Sequence, residues 1–168
     1  MNTVDFSSFR ERKRGLLVIE FEKDHPQDYM KDKDLIGLHG DELKKALDKP
    51  FYVSEDLKVE IDYYVKKTET WKEYHFTIPK GYDWNGANVP PGFWLLIGQQ
   101  KEPRFKVASC VHDYLCEHHD VIDNDRYLST FIFESLCKEC GGFNSLKCWA
   151  MFHSVDNYQK LCRWGKKN

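Results

Sequence analysis

Apolar and polar residues alternate between residues 57 and 66, and this period of two is typical of a β-strand with one buried face. The apolar members of the pattern are Leu57, Val59, Ile61, Tyr63 and Val65. A second segment, with apolar residues at 71, 74, 76 and 78, follows a predicted turn at residues 67–70. Together the two segments predict an antiparallel hairpin.

The region before this hairpin is rich in charge and contains shorter patterns. An apolar run at residues 16–19 predicts a strand, and residues 41–47 predict a short helix that ends before Pro50. We expect residues 25–34, which lie between them, to form a loop.

From residue 103 the apolar spacing becomes three and four residues, which predicts helices. The first begins at Pro103, Asp123 or Asn124 caps the second, and the third spans residues 145–164. Because strands precede helices, the predicted fold class is α+β, with an N-terminal antiparallel sheet or hairpin packed on a C-terminal bundle of three helices.

The chain has 168 residues, which is enough for one domain and few for two. We therefore expect residues 1–168 to form a single domain. Its predicted parts are a charged N-terminal extension with a strand and a short helix (1–48), the hairpin (49–80), a polar loop (81–102) and the helices (103–168).

Charge and hydropathy exclude several classes of protein. The 25 Lys and Arg residues do not exceed the 27 Asp and Glu residues, so we expect no nucleic-acid partner. No stretch approaches 18 apolar residues, so we expect no transmembrane segment. The apolar run after the basic residues 10–14 ends at Glu20 without a cleavage site, which predicts no signal peptide, a cytoplasmic location and reduced cysteines.

The polar loop is the first segment that could carry chemistry. Asp83, Asn85 and Asn88 offer side-chain oxygens to a divalent cation such as calcium, beside glycines that allow close backbone approach. The alternative, which the chemistry alone favours, is a tight loop whose Asp and Asn side chains bond their own backbone.

The second such segment is the helix that carries His112 and Asp113. If the next helix is antiparallel to it, Asp125 comes near His112 and fixes the tautomer of the ring, which leaves one ring nitrogen free to act as a general base. Asp113 is then free to hold a cation together with Asp83. The alternative is a buried polar knot that ties two helices to the loop.

Cys137 and Cys140 form a Cys-x-x-Cys pair without a second pair at zinc-ribbon spacing. The six cysteines are favoured as core thiols, and a zinc-bound module is the weaker alternative.

Taken in order, five segments resemble a phage and bacterial family, the domain-of-unknown-function family 1353. They are residues 76–82 (FTIPKGY), 85–90 (NGANVP), 93–94 (FW), 112–115 (HDYL) and 124–126 (NDR). The resemblance covers roughly residues 50–140 and implies a phage or prophage setting without an activity. The chain departs from the family pattern at Asn85, Asn88 and Cys116, where members commonly have Asp, Ser and Tyr.

A more distant, site-level similarity is to phospholipase A2-type enzymes, which pair a calcium loop with a His-Asp helix and an orienting Asp. The corresponding parts are residues 81–88, His112 with Asp113, and Asp125. This likeness implies a hydrolase, but the separation of His112 and Asp125 is short for those enzymes.

Two functional hypotheses follow. The favoured one is a phage- or prophage-type accessory protein, in the host cytoplasm or the virion, that binds a phage or host protein. Its binding residues are then expected among Trp84, Asn85, Asn88, Phe93 and Trp94. The alternative is a cation-assisted hydrolase of ester or phosphoester bonds with His112 as general base, Asp125 as its orienter, and Asp83 and Asp113 as cation ligands.

Overall fold

The computed structural model describes residues 10–12, 15–86 and 103–162. The strands are β1 (Arg10–Arg12), β2 (Gly15–Phe21), β3 (Met30–Asp32), β4 (Phe51–Val53), β5 (Leu57–Val65), β6 (Thr70–Ile78) and β7 (Asp83–Trp84). The helices are α1 (Gly40–Asp48), α2 (Lys106–Glu117), α3 (Arg126–Glu139) and α4 (Ser145–Cys162). The strands and the short helix α1 of the N-terminal half, followed by α2, α3 and α4 in the C-terminal half, confirm the α+β class.

The larger sheet has four antiparallel strands in the order β1-β2-β5-β6. The predicted hairpin is confirmed as β5 and β6, which pair from Leu57 opposite Ile78 to Val65 opposite Thr70. Burial alternates along β5, because every second side chain points into the core.

The inner face of this sheet packs on the helices through aromatic side chains. Tyr63 of β5 meets Phe131 of α3 edge to face, with ring centroids 6.4 Å apart. Phe76 of β6 stacks on Tyr114 of α2 at 5.7 Å. These contacts fix α2, which carries His112 and Asp113, beneath the sheet.

A second, smaller sheet with the order β3-β4-β7 corrects two loop predictions. Strand β3 lies inside residues 25–34, and strand β7 lies inside the predicted polar loop. In β7, Trp84 pairs with Phe51 and Asp83 pairs with Tyr52 of β4. Both site candidates in β7 are therefore held by a ladder of backbone hydrogen bonds.

The connection between α2 and α3 corrects the predicted helix cap. Asp123 and Asn124 have left-handed backbone conformations, with φ of 56° and 58°. The Asp123 carboxylate accepts a hydrogen bond from the Tyr74 hydroxyl at 3.0 Å, whereas Asp125 occupies the N-cap of α3. The cap therefore lies one or two residues later than the sequence pattern predicts.

Polar contacts tie α4 to α3. Arg126 forms an ion pair with Asp156, and the Thr130 hydroxyl donates to Oε1 of Gln159 at 2.8 Å. Asp156 also pairs with Lys160 one turn later, at 2.9 Å. Among the helices of the described residues, none is long and apolar enough to cross a bilayer.

Candidate functional site

His112 lies in the middle of α2, and its side chain is 14% exposed. Its ring packs on Phe133 of α3 with centroids 5.1 Å apart. Nε2 lies 2.7 Å from Nε2 of Gln159 on α4, and both ring nitrogens lie 3.7–3.8 Å from Sγ of Cys116, one turn further along α2. We call His112, Cys116, Thr130 and Gln159 the His112 cluster.

The Gln159 side chain decides which ring nitrogen of neutral His112 carries the proton. Gln159 is almost fully buried, and its Oε1 accepts the Thr130 hydroxyl. Its amide nitrogen can only donate, so Nε2 of His112 accepts in this orientation. The proton of the neutral ring then sits on Nδ1, which faces Oδ1 of Asp113 at 3.9 Å.

The charged ring is accommodated by a rotation of the same amide. Protonated His112 carries hydrogen on both nitrogens, so Gln159 must then present its carbonyl oxygen to Nε2. The hydroxyls of Ser129 and Thr130, which lie 3.4–3.5 Å and 2.8 Å from the amide, can accept the hydrogens of its nitrogen after this rotation. The cluster is therefore able to satisfy both protonation states of His112.

We expect the His112 imidazole to stay protonated at pH values where exposed imidazoles are neutral. Burial disfavours the charge, but the interactions of the ring with Cys116 and with the Asp113 carboxylate outweigh it and raise the pKa of His112 to about 10. In an NMR titration, the His112 Cε1–H signal should keep its imidazolium shift at about pH 8. The raised pKa also stabilises the fold below about pH 6.5, and this stabilisation is lost as the pH rises toward about 10.

The exposed ring of His75 supplies the comparison within the same spectrum. If the His112 signal titrates together with that of His75, the ring is not held in its charged form by Asp113 and Cys116. The amide orientation seen in the structure would then describe its state at neutral pH.

The structure brings Asp113 together with Asn85. Oriented with its nitrogen toward the acceptors, the Asn85 amide donates to Oδ2 of Asp113 at 3.1 Å and to the Gly86 carbonyl at 3.2 Å. Burial raises the pKa of Asp113, and His112 and Lys49 partly oppose this shift. The loop and helix therefore meet at this carboxylate, as a polar knot requires.

Asp83 is held by lysines instead. Its Oδ2 lies 2.7 Å from Nζ of Lys33, and its Oδ1 lies 3.6 Å from Nζ of Lys49. The two ammonium groups balance the carboxylate that was expected to bind a cation. In the part of the chain that the structure describes, no group of three or more His, Cys, Asp and Glu side chains is placed to hold a metal ion.

Asp125 does not orient His112. Its Oδ1 accepts the backbone N–H of Leu128 at 2.9 Å as the N-cap of α3. The described polar contacts of His112 run to Gln159, Cys116 and Asp113. The expected His112–Asp125 pair is therefore replaced by a contact with α4.

Trp84 belongs to the core, which corrects its expected place on a binding surface. It is 1% exposed, its ring packs on Phe51 and Tyr82, and its Nε1 donates to the Ser109 hydroxyl at 3.0 Å. The other expected contacts, Asn88, Phe93 and Trp94, lie outside the described residues.

The two cysteines of the Cys-x-x-Cys pair differ in their exposure to solvent. Cys137 is in the core, whereas Cys140 is an exposed thiol at the end of α3. With no metal-holding group among the described side chains, the zinc module gains no support.

An aromatic pair lies on the outer face of the large sheet. Trp71 of β6 is 54% exposed and packs against Tyr64 of β5, with ring centroids 5.3 Å apart. Strand register places Leu16 of β2 opposite Tyr64 in the same row. This row is a rigid apolar surface at the end of the sheet.

Carboxylates follow the aromatic row on the same face. Asp62 lies opposite Glu73, and the next row contains Glu20, Glu60 and His75. Burial raises the pKa of Asp62, and the charges of Glu73 and Glu60 add to the shift while His75 opposes it. Among the described ion pairs, Glu60 has a partner in His75, and none involves Glu20, Asp62 or Glu73. We call the aromatic row and these carboxylates the outer sheet face.

Sequence reasoning missed Gln159 and Cys116 as neighbours of His112. Cys116 lies four residues after His112 on one helix, so its helical spacing could have revealed the contact. Gln159 lies 47 residues away, and nothing in the local pattern marks it.

Comparisons with known proteins agree with the family resemblance. The chain is 28% identical over 98 residues to the uncharacterized protein y4jT of Sinorhizobium fredii, and the match covers 54% of this chain and 28% of that protein. No solved structure matches the chain. The family model described as "Protein of unknown function (DUF1353)" matches residues 57–155, from β5 into α4. Since the matched segment is more than half of the chain, the chain belongs to this family.

Proposed function

We propose that the chain is a non-catalytic accessory protein that binds a basic segment of a partner protein on its outer sheet face. The observation that carries the proposal is the exposed Trp71, packed against Tyr64 beside Asp62 and Glu73, which have no ion-pair partner among the described residues. The phage or prophage setting, with a phage or host protein as the partner in the host cytoplasm or virion, rests on the family resemblance alone.

The chemistry of this face selects a cationic partner. Asp62 and Glu73 lie opposite each other, and like charges at this spacing are destabilising. An arginine or lysine from a partner relieves that repulsion, and its stem or guanidinium can lie over the Trp71 ring. Exposed tryptophans are also the side chains most often found to dominate binding energy at protein interfaces.

The hydrolase alternative has weaker support. It needs a general base with a free ring nitrogen, a carboxylate that orients it and a cation site. Nε2 of His112 instead faces Gln159, Asp125 caps α3, and Asp83 is paired with two lysines. These contacts favour the polar knot, in which the side chains stabilise the fold. Partner binding then takes place on the outer sheet face.

The test measures binding of an arginine-rich peptide by the intrinsic fluorescence of the full chain and by calorimetry. We expect Trp71→Ala to weaken binding about 30-fold, because truncation of a central interface tryptophan commonly costs 2 kcal/mol or more. Glu73→Lys should weaken it further at low salt, since it also reverses a charge that attracts the peptide.

Trp149→Ala is the matched control. Trp149 is 55% exposed, as Trp71 is, but it lies on α4 beside His153. This variant should bind the peptide like the wild type. Equal losses in the two tryptophan variants, or no loss in Trp71→Ala, would refute the assignment of the binding surface to the outer sheet face.

A further inference from the structure

Cys116 is an exposed cysteine whose sulfur contacts the ring of His112. It lies in the last turn of α2, and its Sγ is 3.7–3.8 Å from both ring nitrogens of His112. In the amide orientation that the structure shows, Nε2 of Gln159 also lies 3.5 Å from the sulfur. The sulfur therefore has the His112 ring on its inner side and solvent on its outer side.

The described residues contain a second exposed thiol, Cys140, that lacks these neighbours. Cys140 is also exposed and also lies at the C-terminal end of a helix, where the helix dipole disfavours a thiolate. Burial and the charge of Glu139 raise the pKa of Cys140 to about 11. Because burial and Glu139 slow Cys140 independently, the rate at Cys116 in a variant without the His112 ring shows how much of any difference arises from His112.

We propose that Cys116 is a modification site for hydroperoxides, at which His112 transfers the proton. The protonated ring of His112 favours the thiolate form of Cys116, and the thiolate attacks one oxygen of the peroxide. An S–O bond forms as the O–O bond breaks, so the sulfur is oxidised by two electrons and the peroxide is reduced. The leaving oxygen takes the proton from His112, and the products are a cysteine sulfenic acid and water or an alcohol.

The surroundings of the sulfur favour peroxide over an acyl substrate. Acyl transfer passes through an oxyanion that needs several positioned donors. Among the described residues, the hydrogen bonds to the sulfur come from the His112 ring and the Gln159 amide, and no backbone N–H group is among them. Peroxide reduction needs only the nucleophile and a proton for the leaving oxygen, and the Cys116–His112 pair supplies both.

The experiment exposes the full, reduced chain to hydrogen peroxide in the presence of dimedone, which traps sulfenic acids. Tryptic peptides are then quantified by mass spectrometry. Cys140 falls on its own peptide, and tandem spectra separate Cys116 from the buried Cys110 on the peptide of residues 107–126. We expect the initial rate of trapping at Cys116 to exceed that at Cys140 by at least about fivefold, which is modest for proton-transfer assistance.

Two variants show where the difference originates. In His112→Asn with a native circular dichroism spectrum, the Cys116 rate should fall to that of Cys140. In His75→Asn, which alters an exposed histidine of the sheet, it should not change. A wild-type ratio below fivefold, or a folded His112→Asn protein that keeps the wild-type rate, would overturn the proposal. If His112→Asn does not fold, His112→Gln, which also lacks the ring, is measured in its place.

Discussion

Replacing Trp84 with alanine should lower the free energy of unfolding by about 3–5 kcal/mol, the usual cost of removing a large aromatic side chain from a core. Trp84 is fully enclosed between Phe51 and Tyr82, and its indole nitrogen satisfies the buried Ser109 hydroxyl. The substitution leaves a cavity and removes the donor to the Ser109 hydroxyl, which keeps its own hydrogen bond to the Lys106 carbonyl at 3.3 Å. Urea denaturation followed by circular dichroism measures the loss.

Trp84→Phe separates the two contributions. It keeps most of the ring volume and removes the donor to Ser109, so we expect a loss near 1 kcal/mol from the hydrogen bond, together with a smaller packing loss. Trp71→Ala should change stability by less than about 1 kcal/mol because Trp71 is largely exposed. If Trp84→Ala were as stable as the wild type, Trp84 would belong to a surface, as the sequence predicted.

Replacing Gln159 with leucine should cost about 1–3 kcal/mol, because it leaves Nε2 of His112 buried without its partner, whereas the Thr130 hydroxyl keeps its hydrogen bond to the Arg126 carbonyl. Leucine has a similar volume, so the loss reports polar contacts and not a cavity. The same denaturation experiment measures it.

Gln159→Glu is the informative companion. A carboxylate accepts from Thr130 and from a protonated imidazole, so it stabilises a charged His112 and destabilises a neutral one. Since the pKa of His112 is raised to about 10, we expect Gln159→Glu to be clearly more stable than Gln159→Leu at neutral pH. The reverse order would mean that His112 is neutral in the folded protein.

The spacing of apolar residues predicted those strands and helices that are long enough to repeat the pattern several times. Strands β5 and β6 have nine residues each, so alternation marks them. Strands β3, β4 and β7 have two or three residues and pair with distant segments, so no local pattern could reveal their sheet. Asp123 and Asn124 adopt left-handed backbone conformations, so the helix cap lies at Asp125. Asp125 therefore caps α3 and does not orient His112, as had been expected.

The site could be foreseen only where its members are close in sequence or share a loop. The pattern placed Asn85 near the helix of His112 and Asp113, and the structure has Asn85 hydrogen-bonded to Asp113. The residues that decide the chemistry come from elsewhere: Lys33 lies 50 residues before Asp83, and Gln159 lies 47 residues after His112. Contacts between residues so far apart in sequence depend on tertiary packing, and they cannot be predicted from the local pattern of a single sequence.

The assembly of the His112 cluster from three helices gives α4 a role in local unfolding. When α4 separates from α3, the Arg126–Asp156 ion pair, the Thr130–Gln159 hydrogen bond and the Gln159–His112 contact are lost in the same event. His112 and Cys116 then face water together on α2. Amide hydrogen exchange in the second half of α4 and the ring signal of His112 should therefore report one cooperative opening, at a free energy below that of global unfolding.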